Sequence, residues 1–347
     1  MKKIKALLSI VLTVILMFAL TACGSKKEVN VSSDKKDLKG STIKIIGTSK
    51  IYQKLFDKFT KETGIKVESL SMSSGEVLSR TKAEDGKPMG DVWFGGGIDA
   101  FMSAKNQGLL EKYLSPESKD VSDSYKDKEG YWIAKGVTIV GFLVNNDVMK
   151  EKNLEIPKSW EDLTKPQYKD EILMSNPAIS GTNYAVVHSL LGKMGKEKGW
   201  SYFEKLNKNI PYYSKRGKDP QLKVSAGEIG IGITYVDNTI VKLEKEKNVQ
   251  VVYPEDGIPW VPEGMAIFKD CTNLEGAKAF EDWVLQKDNQ QYLAELEGKD
   301  GTMMVRPGVK GMDLKVPKDK FIEEYLGQFG KYRDEILDKW KVITKDK

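Results

Sequence analysis

The tightest constraint on the fold is a change of apolar period, repeated between residues 42 and 108. Thr42 to Ile46 (TIKII) reads as a strand. Ile51 to Thr63 then places Ile51, Tyr52, Leu55, Phe56 and Phe59 on one helical stripe, which Gly64 ends. Lys66 to Ser71 alternates as a strand, Glu76 to Glu84 is helical, Asp91 to Phe94 is a short buried strand, and Ile98 to Asn106 is a helix closed near Gly108. Strands alternating with helices in this order need crossover connections, so the segment predicts a mostly parallel sheet covered on both faces. Further on, VTIVGFLV between Gly136 and Asn145 reads as a long buried strand, and Gly227 to Tyr235 and Gly264 to Phe268 as others. Asn273 to Gln286 and Lys320 to Trp340 read as helices. That is more strand than one small sheet needs. In 347 residues with 40% hydrophobic content, two α/β lobes fit better than one.

Composition removes several function classes. Two cysteines, Cys23 and Cys271, cannot staple a disulfide scaffold. Any histidine-rich metal site or Ser-His-Asp enzyme would have to be built on the single histidine, His188. That residue falls on the apolar side of a helical stretch with Tyr184, Val187 and Leu191, and reads as core. No paired carboxylates or nucleophile–base set stands out, so no enzyme is expected. The formal charge of +5 includes Lys2, Lys3 and Lys5, which leaves +2 for the rest of the chain. A nucleic-acid binder would concentrate basic residues on a face, and none is expected here.

The N-terminus reads as an export leader. Lys2, Lys3 and Lys5 precede an apolar run, Ala6 to Leu20, that is short for a membrane span and right for a signal peptide. Leu20-Thr21-Ala22-Cys23 resembles the bacterial lipobox, where cleavage before the cysteine leaves a thiol that carries diacylglycerol. The expectation is a signal peptide over 1–22, lipidation at Cys23 and a polar, flexible tether over 23–41. The protein would stand on the outer face of the cytoplasmic membrane, held by its lipid alone. Cys271 then has no partner and reads as a buried structural thiol.

Several short polar motifs fall where strands end or helices begin. Ser180-Gly181-Thr182 precedes a helical stretch, and hydroxyls with free N–H groups at a helix start suit an anion, though they also make a plain N-cap. Ser73-Ser74-Gly75 before Glu76 repeats the arrangement. Thr48 and Ser49 follow the first strand and would also face a ligand, or form an ordinary loop. Gly95-Gly96-Gly97 after a strand lets backbone approach a ligand, or simply turns. Arg216, one of four arginines, would suit an anion bidentately or lie on the surface.

Taken together, five motifs resemble the family 1 extracellular solute-binding proteins of ABC importers, in the subgroup of ferric-iron, phosphonate and phosphate-ester receptors. They are SSGE at 73–76, GDVWFGGG at 90–97, NPAISGT at 176–182, AGEIGIG at 226–232, and the segment from Pro259-Trp260 to Met265. The resemblance spans most of residues 42–310 and implies the type II periplasmic-binding-protein-like fold, α/β, with two lobes joined by a two-crossing hinge. One lobe would be 42–139 plus 263–347 and the other 140–262. A small anionic solute would be captured in the cleft by closure, and the transmembrane subunits of an ABC permease would read the closed state. A monomer without cofactor is implied.

Ferric-iron receptors of this group typically use two adjacent tyrosines after the Gly-Glu strand. Here Tyr235 matches one, but Val236 stands at the other position and cannot ligate. The pair Tyr212-Tyr213 lies outside that motif and reads as packing. Asp237 matches an acidic position of the phosphate-ester receptors, with a loop cap as the rival role, and Glu263 falls where the family has a ligand-contacting acid, with a hinge contact as its rival. Val261 and Pro262 depart from the family at the first acidic position of that segment. The resemblance thus implies a phosphonate or phosphate-ester receptor. The alternative is a ferric-iron receptor with Tyr235 as a ligand; otherwise no metal is expected.

Overall fold

A computed structural model describes residues 37–347 apart from residue 313. The leader, Cys23 and most of the tether therefore lie outside the described residues. Leu38–Lys347 forms one compact unit. Its first half builds the expected alternation. Strands β1 (Thr42–Gly47), β2 (Lys66–Ser71) and β3 (Val92–Gly97) are parallel neighbours, with helices α1 (Gln53–Thr63), α2 (Ser74–Ala83) and α3 (Ile98–Asn106) between and after them. The apolar stripe of α1 is buried through Leu55, Phe56 and Phe59. Phe56 meets Phe94 with ring centroids 6.0 Å apart, and Phe59 meets Trp283 at 5.3 Å. Such rings contribute roughly 1.5–3 kcal/mol each on full burial. Gly64 closes α1 at φ 75°, the left-handed geometry that favours glycine.

The long buried run becomes β4 (Ile133–Asn145), thirteen residues with no exposed position. Its later neighbours are β7 (Ile231–Tyr235), β8 (Val249–Val252) and β9 (Trp260–Ile267). From Ile133 to Ile139, β4 pairs with β9; from Val140 onward it pairs with β7 and β8. One strand thus runs through two sheet regions. The full order is β2-β1-β3-β9-β4-β7-β5-β6 with β8 beside β4, where β5 is Ile172–Ser175 and β6 is Tyr213–Ser214. The expectation of a mostly parallel sheet needs correction. β9 runs antiparallel to both β3 and β4, and β4 antiparallel to β7 and β8, so the sheet is mixed.

The remaining helices are α4 (Asn146–Glu151), α5 (Gly181–Met194), α6 (Lys196–Asn207), α7 (Asp219–Ser225), α8 (Asn238–Glu246), α9 (Leu274–Leu285), α10 (Lys287–Glu297) and α11 (Arg333–Ile343). Two expected spans differ. The strand expected from Gly227 starts only at Ile231, because Gly227 sits at φ 73° and ends α7 in a turn. The helix expected over Lys320–Trp340 begins only at Arg333. Ile258 donates its N–H to the Lys320 carbonyl and accepts from the Ile322 N–H, an isolated parallel bridge that holds Phe321 and Ile322 extended. α11 packs on α6: Trp340 meets Phe203 at 5.5 Å, and Asn207 donates to the Ile343 carbonyl at 2.9 Å.

Candidate functional site

Three motifs converge where β1 and β3 end and two helices begin. Thr48 follows β1 and donates its backbone N–H to the Phe94 carbonyl at 3.1 Å. Ser49 accepts from Ile51 N at 3.4 Å and caps the short turn Lys50–Tyr52. Gly95 and Gly96 both sit at φ 94°, conformations that L side chains rarely adopt. A Cβ at Gly95 would overlap the Thr48 hydroxyl, and one at Gly96 would press on Ser74. These glycines form a bulge: Phe94 faces Met265 and Gly97 faces Glu263, so two residues of β3 oppose Gly264 of β9.

Ser73 occupies the N-cap of α2 without capping through its side chain, and Ser74 is buried. The Gly75 N–H at this helix start donates to the Ile179 carbonyl at 3.0 Å, across the cleft expected between the two halves. From the facing side comes α5. Ser180 is its N-cap and accepts from Asn183 N at 3.4 Å. Gly181 meets Gly97 so closely that a Cβ on Gly181 would lie 2.7 Å from Gly97 N and 2.8 Å from Ser74 Oγ. Thr182, one residue on, is partly exposed. Two helix N-termini, each with a local positive potential, and a glycine bulge therefore face one another. Two open cavities of about 350 and 510 Å³ lie elsewhere, beside Tyr212 and Leu222 and beside Met102 and Lys331.

The other expected residues distribute around this centre. Gly217 lies beside Ser180 and Tyr235: a Cβ there would sit 3.1 Å from Ser180 Oγ and 3.6 Å from Tyr235 Cε1. Its neighbour Arg216 is exposed; its backbone N–H donates to Asp219 at 2.9 Å and its carbonyl accepts from Ser175 Oγ at 2.7 Å. Burial, followed by the charges of Asp237 and Glu263, pushes the Tyr235 phenol well above its ordinary range. Asp237 caps α8, accepting from Thr239 N at 2.9 Å and Ile240 N at 3.3 Å. Burial raises its carboxyl, and the Lys218 charge opposes that.

Glu263 brings in residues the sequence reading missed. Lys135 donates to Glu263 at 2.9 Å and to Glu297 at 2.6 Å. Lys299 pairs with Glu263 and, at 3.3 Å, with Glu297. The Tyr52 hydroxyl donates to Glu297 at 2.7 Å. Desolvation would raise the Glu263 carboxyl, but the two ammonium groups outweigh it and hold it at about 2. Asp99, in the first turn of α3, accepts from Arg333 Nε at 2.9 Å, and Arg333 Nη2 donates to the Ala178 carbonyl at 3.3 Å. One signal in the sequence was available for the first group. A lysine inside an otherwise apolar strand, as at Ile133-Ala134-Lys135-Gly136-Val137, requires a buried partner.

The residues weighed for iron sit apart from one another. Val236 is 3% exposed within an apolar cluster. Tyr213 donates to Asn207 at 2.9 Å and packs on Trp340. His188 lies 3.2 Å from a Glu324 oxygen and against Phe329, 4.2 Å between centroids. Among the described residues no group of three or more His, Cys, Asp or Glu side chains comes together as a metal site. Cys271 is half-buried, and burial pushes its thiol up to about 11. No helix among the described residues is long and apolar enough to cross a membrane.

Comparison with known proteins places this geometry in context. The sequence profile of the bacterial extracellular solute-binding proteins matches residues 88–320. A probable ABC transporter periplasmic-binding protein of Sinorhizobium fredii is 27% identical over 259 residues, 71% of this chain and 69% of the relative. A putative 2-aminoethylphosphonate-binding periplasmic protein of Salmonella typhimurium is 25% identical over 257 residues, 72% of this chain and 73% of the relative. Among solved structures, the periplasmic binding protein AfuA of Actinobacillus pleuropneumoniae, with fructose-6-phosphate bound, superposes with a TM-score of 0.80 at 27% identity, covering 89% of this chain and all of AfuA.

Proposed function

This chain belongs to the bacterial extracellular solute-binding proteins, and from that premise we propose that its solute is a small phosphonate or phosphate ester. The coarser role follows from the family. The protein is an extracytoplasmic solute-binding component of an ABC importer, it works with permease subunits, and it is not an enzyme. The carrying observation for the finer role is the convergence of Ser73–Gly75, Gly95–Gly97 and Ser180–Thr182. N–H and O–H groups gathered at two helix starts suit a phosphoryl group, whose oxygens only accept when fully ionised. The bound sugar phosphate in AfuA and the phosphonate ligand in the name of the Salmonella relative support this class of solute.

The cleft lies between a lobe of residues 42–139 plus 263–347 and a lobe of residues 140–262. The change of β4 partners between Ile139 and Val140 supports that division. Closure brings Gly75 to Ile179 and Gly97 to Gly181. In this reading Thr48, Ser49, Ser73, Ser74, Gly75, Gly96, Ser180, Gly181 and Thr182 serve the phosphoryl end, and Arg216, Tyr235, Asp237 and Glu263 serve the rest of the solute. The chain is a monomer on the outer face of the cytoplasmic membrane, anchored by lipid on Cys23. Titration calorimetry of the purified protein tests the solute. One-to-one heat with fructose 6-phosphate or 2-aminoethylphosphonate is expected, and silence from both with colour on adding Fe(III) would point to the iron alternative. Cys23→Ala should release the protein from membranes or block its processing without touching solute binding; retention with normal processing would contradict the anchor.

A further inference from the structure

Both neighbours of β9 bulge at the same point. On β3 the bulge holds Gly95 and Gly96; on β4 it holds Lys135, because Ala134 faces Gly264 and Gly136 faces Glu263. Bulges re-aim side chains and interrupt pairing, and the two meet at Gly264 and its step to Glu263, which sets Glu263 apart as a built position. The bulge turns Lys135 fully inward, where it lies 5.0 Å from the Tyr52 ring and 5.5 Å from the Phe94 ring. Lys299 is 3% exposed. Neither ammonium group is therefore free to meet an anion in the cleft. Both are directed to the same Glu263 oxygen, Oε2. Oε1 accepts no hydrogen bond among the described residues, and the side chain retains 14% exposure.

We infer that Lys135, Lys299, Glu297 and Tyr52 are positioning residues that fix the Glu263 carboxylate with one oxygen engaged and the other presented to the cleft, so that the solute must carry a hydroxyl or ammonium donor besides its phosphoryl group. The inference rests on the phosphoryl reading above and narrows it. Two lysines and two glutamates make the cluster neutral overall, so it is stable without a ligand. Lys135 and Lys299 are shared between Glu263 and Glu297, and Glu297 accepts from the Tyr52 hydroxyl at 2.7 Å, which ties Glu263 to the turn after the first strand. Gly95 lies against both the Thr48 hydroxyl and the Tyr52 ring, which brings the hydroxyl-lined end beside this support. A carboxylate left with a free oxygen beside an anion repels a second negative end and rewards a donor. The groups facing Glu263 are Lys135 of β4, Lys299 and Glu297 at the end of α10, Tyr52 before α1, and Tyr235 of β7.

The test compares matched compounds by calorimetry on the intact protein, with a carboxyl-carbon NMR titration beside it. 2-Aminoethylphosphonate is set against ethylphosphonate, and fructose 6-phosphate against inorganic phosphate. At least one donor-bearing compound should bind 100-fold or more tighter than its donor-free counterpart, and Glu263→Gln should shrink that ratio at least tenfold. Lys299→Met should shrink it similarly and move the Glu263 titration, which in the unaltered protein stays ionised below pH 3, up toward the ordinary carboxylate range; Lys299→Arg should restore both. Should Lys299→Met not fold, Glu263→Gln alone carries the comparison. Equal binding of donor-bearing and donor-free compounds, or an ordinary Glu263 titration in the unaltered protein, overturns the inference and leaves the phosphoryl reading intact. No binding by any of the four compounds overturns the phosphoryl reading, and the donor requirement falls with it.

Discussion

Gly181 shows at the level of single atoms why a small residue sits at this helix start. In most helices Gly→Ala is favourable by roughly 0.5–1 kcal/mol. Here the added methyl would meet Gly97 N at 2.7 Å and Ser74 Oγ at 2.8 Å, and the first of these is backbone that cannot turn aside. Gly181→Ala should therefore lower thermal stability by roughly 1–3 kcal/mol and weaken solute binding tenfold or more. Unchanged affinity in calorimetry would mean that the two walls do not need this approach. The motif was legible in the sequence because serines, glycines and threonines at a helix start act on their immediate neighbours. Of the two roles read there, the structure shows the capping one at Ser180, which caps α5. Asp237 behaves likewise: its carboxyl holds the start of α8. Asp237→Ala should cost about 1 kcal/mol in urea unfolding. Asp237→Ser should recover most of that stability, and any loss of solute affinity remaining in it would assign the carboxylate a second contact.

At the scale of elements, β4 and β9 carry the account. Their apolar character was visible in the sequence, but the charges between them were not. Lys135 finds partners 128 and 162 residues away, and no local pattern encodes such separations. Lys135→Met removes one member of a neutral set and leaves buried carboxylate charge unbalanced, at a cost of about 3–5 kcal/mol. An unfolding midpoint within about 1 kcal/mol of the unaltered protein would contradict the buried network. The pH dependence has a defined sign. Because Glu263 is held at about 2, its stabilisation is complete above the ordinary carboxylate range and is lost as pH falls through that range toward 2. Because Lys299 is pushed up to about 12, its stabilisation is complete below the ordinary lysine range and is lost only as pH climbs toward 12. Helix α9 was read within a residue at each end, helped by Asn273, whose side chain caps it at 3.0 Å. The helix expected over Lys320–Trp340 was not. Its apolar spacing survives as packing of an irregular segment, and Gly330 meets Met102 too closely for any larger residue without movement.

On the whole-molecule scale, the order and spacing of five weak motifs indicated the architecture, and the fold agrees with it. The mixed sheet was not legible, since a strand that changes partners along its length reads in one dimension like any buried strand. The last helix ties distant elements of the fold together. Arg333 at the start of α11 reaches Asp99 on α3, while α11 itself packs on α6, so one helix contacts both. The central claim, however, is about what the walls hold. Native mass spectrometry of the protein purified from its own cell envelope, followed by phosphorus and iron analysis of the released material, addresses it directly. The account predicts one small phosphorus-containing compound per chain, bearing a hydroxyl or amino group. An iron adduct, or a bound compound that lacks phosphorus, would contradict it.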